Sequence, residues 1–93
     1  MPVAIGTLKI SLPDARSLKD KRRVIKSLKD RIRREFNVSV AEMDLQDMWQ
    51  CAVLGVSVIS PDKRFAEAVV AKVVDFVRSD RRLFVAAYEV EVF

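Results

Sequence analysis

The spacing of apolar residues switches four times between a period of two and the period of about 3.6 that marks a helix, and each switch predicts an element boundary. In residues 3–12 (VAIGTLKISL), Leu8, Ile10 and Leu12 alternate with Thr7, Lys9 and Ser11, the pattern of a half-buried strand. Pro13-Asp14-Ala15 ends it, and Ser17 offers a hydroxyl to the free amides of a following helix. Asp20, three residues on, stands where a capping-box acid belongs.

With residues about 100° apart on a helical wheel, Leu18, Val24, Ile25, Leu28, Ile32 and Phe36 fall within an arc of about 120°. A face of that width packs on a sheet, so a helix is predicted over roughly residues 17–36, ended by Asn37 in a left-handed conformation. Residues 38–43 (VSVAEM) alternate again as a second strand, and Asp44 to Met48 form a polar connection to a third strand over 49–59. A link that short returns antiparallel, because a parallel crossover needs a dozen residues or so. Ser60-Pro61-Asp62 opens a second helix running to about Ser79. Its apolar face comprises Phe65, Ala66, Val69, Val70, Val73, Val74, Phe76 and Val77, and residues 83–92 alternate as a last strand. The order β-α-β-β-α-β predicts an α+β, ferredoxin-like sandwich: one four-stranded antiparallel sheet with both helices on one face, forming a single domain over residues 1–93.

Composition narrows the class. Half of the 93 residues are apolar and about a third are charged, as in a compact globular chain. The amino terminus has no basic region ahead of a long apolar run and no stretch is long enough to span a bilayer, so a cytoplasmic protein is expected. The single Cys51 allows no internal disulfide. The net charge of +4 is unevenly spread: residues 1–35 hold eleven Lys and Arg against four acids, and residues 36–93 hold six against nine. Such asymmetry points to a nucleic acid or another polyanion as partner.

Between Leu18 and Phe36 there are nine basic residues and three acids. Arg22, Lys26, Lys29 and Arg33 lie within about 60° of one another on the wheel, a ridge about 16 Å long. Lys19, Arg23 and Arg34 flank it on the side away from the core. An ordinary solvated face would mix signs at i,i+4 spacing, yet only Asp30 and Arg34 have the favoured order here. These seven residues are therefore the expected phosphate contacts. A membrane surface is a poorer partner, since the opposite face is needed for the core.

Lys21 stands apart, in the middle of the apolar arc. Its methylenes are expected to run along apolar surface and release the ammonium to water at the helix end. The other reading is an anion seat formed by Arg16, Ser17 and Lys21 at the positive end of the helix dipole.

The far face of the sheet is also unusual. With Leu8, Ile10, Val38, Val40, Leu54, Val56, Val58, Phe84, Tyr88, Val90 and Val92 toward the helices, Val3, Ile5, Met43, Trp49, Cys51, Val53, Leu83 and Val85 face outward. That much apolar surface calls for a cover, and a homodimer is expected to supply it. An RNA-stacking sheet is the alternative, but Trp49 is the one aromatic residue in that outward set.

Catalysis finds little support. The chain has no histidine, and Cys51 lies in an apolar strand without a Cys or His partner, as an inert packing residue. Glu42, Asp44 and Asp47 are read as solvated acids, not a cation site, so neither metal nor cofactor is expected. A phosphatase would need a phosphate-cradling loop before the first helix, and residues 13–17 contain no glycine.

The run Ser17-Leu18-Lys19-Asp20-Lys21-Arg22-Arg23, followed by Asn37-Val38-Ser39-Val40-Ala41-Glu42 and Trp49-Gln50, resembles the YlxP-like family of small bacterial proteins of unknown function. The resemblance spans almost the whole chain and implies a ferredoxin-like fold and a genomic association with translation and ribosome-maturation genes, including ribosome-binding factor A. It implies no catalytic residues. The expectation is a non-enzymatic protein that binds RNA or a ribosomal particle, with no small-molecule substrate. A homodimeric module for an acidic protein partner is the alternative, and a small hydrolase the most remote.

Overall fold

The computed structural model describes residues 1–44 and 47–93. Its elements are β1 (Val3–Ser11), α1 (Leu18–Glu35), β2 (Ser39–Asp44), β3 (Cys51–Ile59), α2 (Lys63–Arg78) and β4 (Phe84–Val92). The strands form one antiparallel sheet in the order β2-β3-β1-β4, so β1 pairs with both β3 and β4, and β2 and β4 are the edges. This is the ferredoxin-like sandwich. Of the predicted connection Asp44 to Met48, Leu45 and Gln46 lie outside the described residues. No helix among the described residues is long and apolar enough to cross a membrane.

Both helices begin at side-chain caps. Ser17 Oγ accepts from the Asp20 amide at 3.1 Å, and Asp20 Oδ2 accepts from the Arg16 amide at 3.0 Å, one residue before the usual capping-box partner. Asp62 Oδ1 accepts from the amides of Arg64 and Phe65 at 2.9 and 3.3 Å, which makes Asp62 the cap of α2 and leaves Pro61 outside the helix. The first helix ends at Glu35 rather than at Asn37: Phe36 leaves in an extended conformation and sets its ring edge-on to Phe76 at 5.6 Å.

The main core packs Ile25, Leu28 and Ile32 of α1 and Val73, Val74 and Val77 of α2 on Leu8, Ile10, Leu54 and Val56. A second cluster joins Ala66 and Val70 to Ala4 and Val58. There α2 comes so close to β1 that a Cβ on Gly6 would lie 2.7 Å from Val70 Cγ1, so only glycine fits. Phe65, expected on the buried face of α2, is exposed at the helix start.

Two bulges correct the strand faces. Lys9 pairs with Ala87 but Ile10 pairs with Val85, so Ala86 is an extra residue in β4. Alternation beyond it is reversed: Val85 packs against the core, Leu83 is 3% exposed, and Phe84, expected inward, points out and is 65% exposed. In β2, Met43 is the extra residue between Glu42, opposite Leu54, and Asp44, opposite Val53. Trp49 precedes β3 rather than lying within it. Tyr88 and Val90 keep the helix side of β4 but lie partly exposed near the sheet edge, with the Arg78 guanidinium 5.1 Å from the Tyr88 ring centre.

Candidate nucleic-acid interface

The cap at Ser17 and the apolar arc together fix the rotation of α1, with Ile25, Leu28 and Ile32 on the sheet and the basic side chains around the remaining circumference. The structure then sorts those basic residues by the acceptors within their reach.

Lys21 departs from both expectations. It is 1% exposed, and its Nζ lies 2.9 Å from Glu42 Oε2, a buried atom of a side chain that is 17% exposed. The ammonium neither emerges to water nor joins Arg16 and Ser17: Ser17 is occupied as the helix cap, and Arg16 contributes its backbone amide to Asp20. Glu42 correspondingly leaves the solvated acid group in which it was placed. The sequence carried a signal for this pair, because the alternation that turns Val38 and Val40 inward turns Glu42 inward too, under a lysine in the apolar arc.

The C-terminal half of α1 is largely committed to protein partners. Arg33 donates from Nη2 to the Val40 carbonyl at 3.0 Å, covering an open-edge acceptor of β2. Asp30 takes Lys26 Nζ at 3.0 Å and Arg33 Nη1 at 3.7 Å, whereas Arg34, its expected partner, donates from Nε to the Asp30 backbone carbonyl at 3.4 Å. The hydrogen bond from Lys26, helped by the charges of Lys26, Arg33 and Arg34, holds the Asp30 carboxyl below the usual carboxylate range.

Facing α2, Arg31 lies 5.2 Å over the Phe76 ring and 3.2 Å from Asp80 Oδ2. Asp80, 3% exposed at its side chain, also accepts from Arg82 Nη2 at 2.6 Å, Nε at 3.0 Å and the Arg82 amide at 2.9 Å. The Arg82 hydrogen bonds, with the charges of Arg82 and Arg31, outweigh burial and keep its carboxyl below the usual range. Arg82 in turn reaches Ser27 Oγ at 3.4 Å, tying the turn after α2 to α1. Nothing in the local pattern around Ser79-Asp80-Arg81-Arg82 marks this network in advance.

Among the described residues, the side chains of Arg16, Lys19, Arg22, Arg23 and Lys29 have no ion pair or hydrogen bond. They cluster at the start and middle of α1 and are exposed, Lys29 partly so. Beside them, a cleft of about 320 Å³ runs between the start of α1 and the turn after α2. Arg23, Arg81 and Arg82 line it together with Asp14 and Asp20, over an apolar floor of Leu12, Ala15 and Val24. Arg81 thus extends the basic surface beyond the helix, a contribution the sequence reading did not include. Among the described residues, no three of His, Cys, Asp and Glu converge on one point.

A small two-layer α+β domain with a basic helix on its surface is what this fold and surface define. Residues 3–90 match the family described as Protein of unknown function (DUF503), and the chain belongs to that YlxP-like family. It is 38% identical over 66 residues to the Uncharacterized protein YlxP of Bacillus subtilis (strain 168), covering 71% of this chain and 72% of that protein. Among solved structures, the de novo designed protein Foldit4 is similar with a TM-score of 0.56 at 19% identity, covering 100% of this chain and 97% of the design. The de novo designed protein LFR1 1 with ferredoxin fold gives 0.52 at 16%, covering 99% and 84%. Likeness at that level of identity concerns the fold alone.

Proposed function

We propose that this is a non-enzymatic RNA-binding protein of the cytoplasm, which holds the sugar-phosphate backbone against the first half of α1. The observation that carries this reading is the set of five basic side chains, Arg16, Lys19, Arg22, Arg23 and Lys29, left without protein partners on one end of the molecule while their neighbours are satisfied. Holding like charges together without counter-charges disfavours the free protein and favours any state in which an anion is bound. Arg81, across the cleft, widens the positive surface enough to follow a strand around the helix start. Contacts of this type place the protein on RNA without reading its sequence. The association of the resembling family with ribosome-maturation genes makes ribosomal RNA the first ligand to try.

The test is fluorescence anisotropy with a structured ribosomal RNA fragment across a salt series. With five phosphates neutralised, log K falls by about 3.5 to 4.5 for each ten-fold rise in salt. Unchanged affinity at low salt after Arg22→Glu, Arg23→Glu and Lys29→Glu together overturns the reading. An acidic protein partner, the other expectation, would survive ribonuclease treatment of a lysate before capture.

A further inference from the structure

The sheet face turned away from the helices has its own chemistry, and it is self-complementary. Its rows follow from the strand register. Ile59 and Val3 are opposite, with Phe93 hydrogen-bonded to Val3 at 2.8 and 3.0 Å, and together they form one apolar end. Cys51, Ser11 and Phe84 form the other end. Between them lie the rows Ser57-Ile5-Glu91, Gly55-Thr7-Glu89 and Val53-Lys9-Ala87. Lys9, Glu89 and Glu91 are exposed and make no ion pair with one another or with any described residue.

We infer that this face binds a second copy of the chain, with a two-fold axis across the strands through Thr7. Such an axis exchanges the rows on either side of Thr7. Lys9 of each copy then lies over Ile5 of the other, beside Glu91, so its stem covers apolar surface and its ammonium meets a carboxylate. The same operation lays Phe84, 65% exposed, over Phe93 of the second copy, 70% exposed. Each contact occurs twice; Glu89, in the axial row but on the edge strand, meets its own copy at the rim of the face, where water screens the like charges.

The central row permits close approach. Ala41, Gly55 and Thr7 are small, and Met43 folds over Gly55 so closely that a Cβ there would lie 2.9 Å from Met43 Cγ. A shallow groove of about 280 Å³ remains between Met43, Ile5 and Thr7, and a flexible methionine at its rim can adapt to an incoming side chain.

Three nine-residue strands and the six-residue β2, at about 4.8 Å spacing and about 3.3 Å per residue, present roughly 520 Å² per copy. Two copies bury roughly 1,040 Å², just above the lower limit of about 1,000 Å² for a specific interface. The dimer is therefore concentration-dependent, and it leaves both α1 helices on its outer surfaces. It stands whether or not those helices bind RNA.

Sedimentation equilibrium of the full chain between about 1 µM and about 1 mM covers the range in which an interface of this size dissociates. The expected result is a shift from the 10.6 kDa monomer to twice that mass. Lys9→Glu raises the dissociation constant about ten-fold, as does Glu91→Lys, and combining the two restores dimerisation. Phe84→Asp abolishes it, with circular dichroism reporting that each variant is folded. A wild-type chain that stays monomeric throughout overturns the inference, and so does a dimer indifferent to Phe84→Asp or one that the combined charge swap fails to restore.

Discussion

The two halves of α1 have nearly the same composition and different fates. In the second half, Arg31 is held by Asp80 and Phe76, Arg33 by Asp30 and the Val40 carbonyl, and Arg34 by the Asp30 carbonyl. In the first half, Lys21 goes to Glu42 and Lys26 to Asp30, while Lys19, Arg22 and Arg23 remain without partners, as does Lys29 early in the second half. What separates them is the supply of acceptors: Arg31, Arg33 and Arg34 lie within reach of Asp80, the Val40 carbonyl and Asp30, and the exposed cations near the helix start do not. A stripe of cations is thus not one functional unit. Part of it closes the structure, and part is left for a ligand.

The sharpest way to break the comparison is at Lys21. Lys21→Ala leaves the carboxylate of Glu42 facing an apolar interface and is expected to lower unfolding stability by about 3 kcal/mol, read from urea denaturation. Lys21→Met with Glu42→Leu removes both charges and is expected to recover most of that loss, because two desolvated ions are replaced by apolar volume. If the double variant is as unstable as the single one, the buried pair is not what organises this end of α1.

Next in size is the reversal of Arg22, Arg23 and Lys29, expected to weaken RNA binding by about 100-fold near 0.1 M salt with little change in stability. Arg33→Gln with Arg34→Gln is expected to change affinity less than about three-fold. Equal losses from the two sets would erase the distinction between the halves.

Asp80→Asn removes a carboxylate that two arginines share, at an expected cost of about 1 to 3 kcal/mol in unfolding stability. Since its folded pKa lies below its ordinary value of 3.8, its contribution is present above about pH 4 and fades as the pH falls through the lower folded value. Thermal unfolding of wild type and Asp80→Asn between pH 7 and 3 is expected to converge at the acid end. A gap that persists at pH 3 would argue for packing over charge.

The smallest effect is expected from Arg33→Met, which keeps the stem but uncovers the Val40 carbonyl. A change of under about 1 kcal/mol is expected, with faster amide hydrogen exchange confined to β2.

Much of this molecule was legible in advance. The strand alternation of Leu8, Ile10 and Leu12, the arc from Leu18 to Ile32 and the caps at Ser17 and Asp62 are local patterns, and they yielded all six elements to within a few residues. The basic ridge was legible for the same reason, since a helical wheel needs only spacing. The outer face was legible in part: Ile5 and Met43 are exposed as expected, but the bulge at Ala86 exchanged Leu83 and Val85 for Phe84.

Periodicity, capping and charge segregation depend on residues within a turn or two of one another, and so the chain alone carries the ferredoxin-like order and the position of its cations. Which cations are left over depends on contacts between distant segments: Lys21 with Glu42, Arg31 and Arg82 with Asp80, Arg33 with Val40. Those contacts follow from strand order and from two single-residue bulges, and neither leaves a periodic trace. Folding satisfied the basic side chains of α1 that ended beside an acceptor, and those of α1 that it did not satisfy, with Arg16, form the surface proposed to meet RNA.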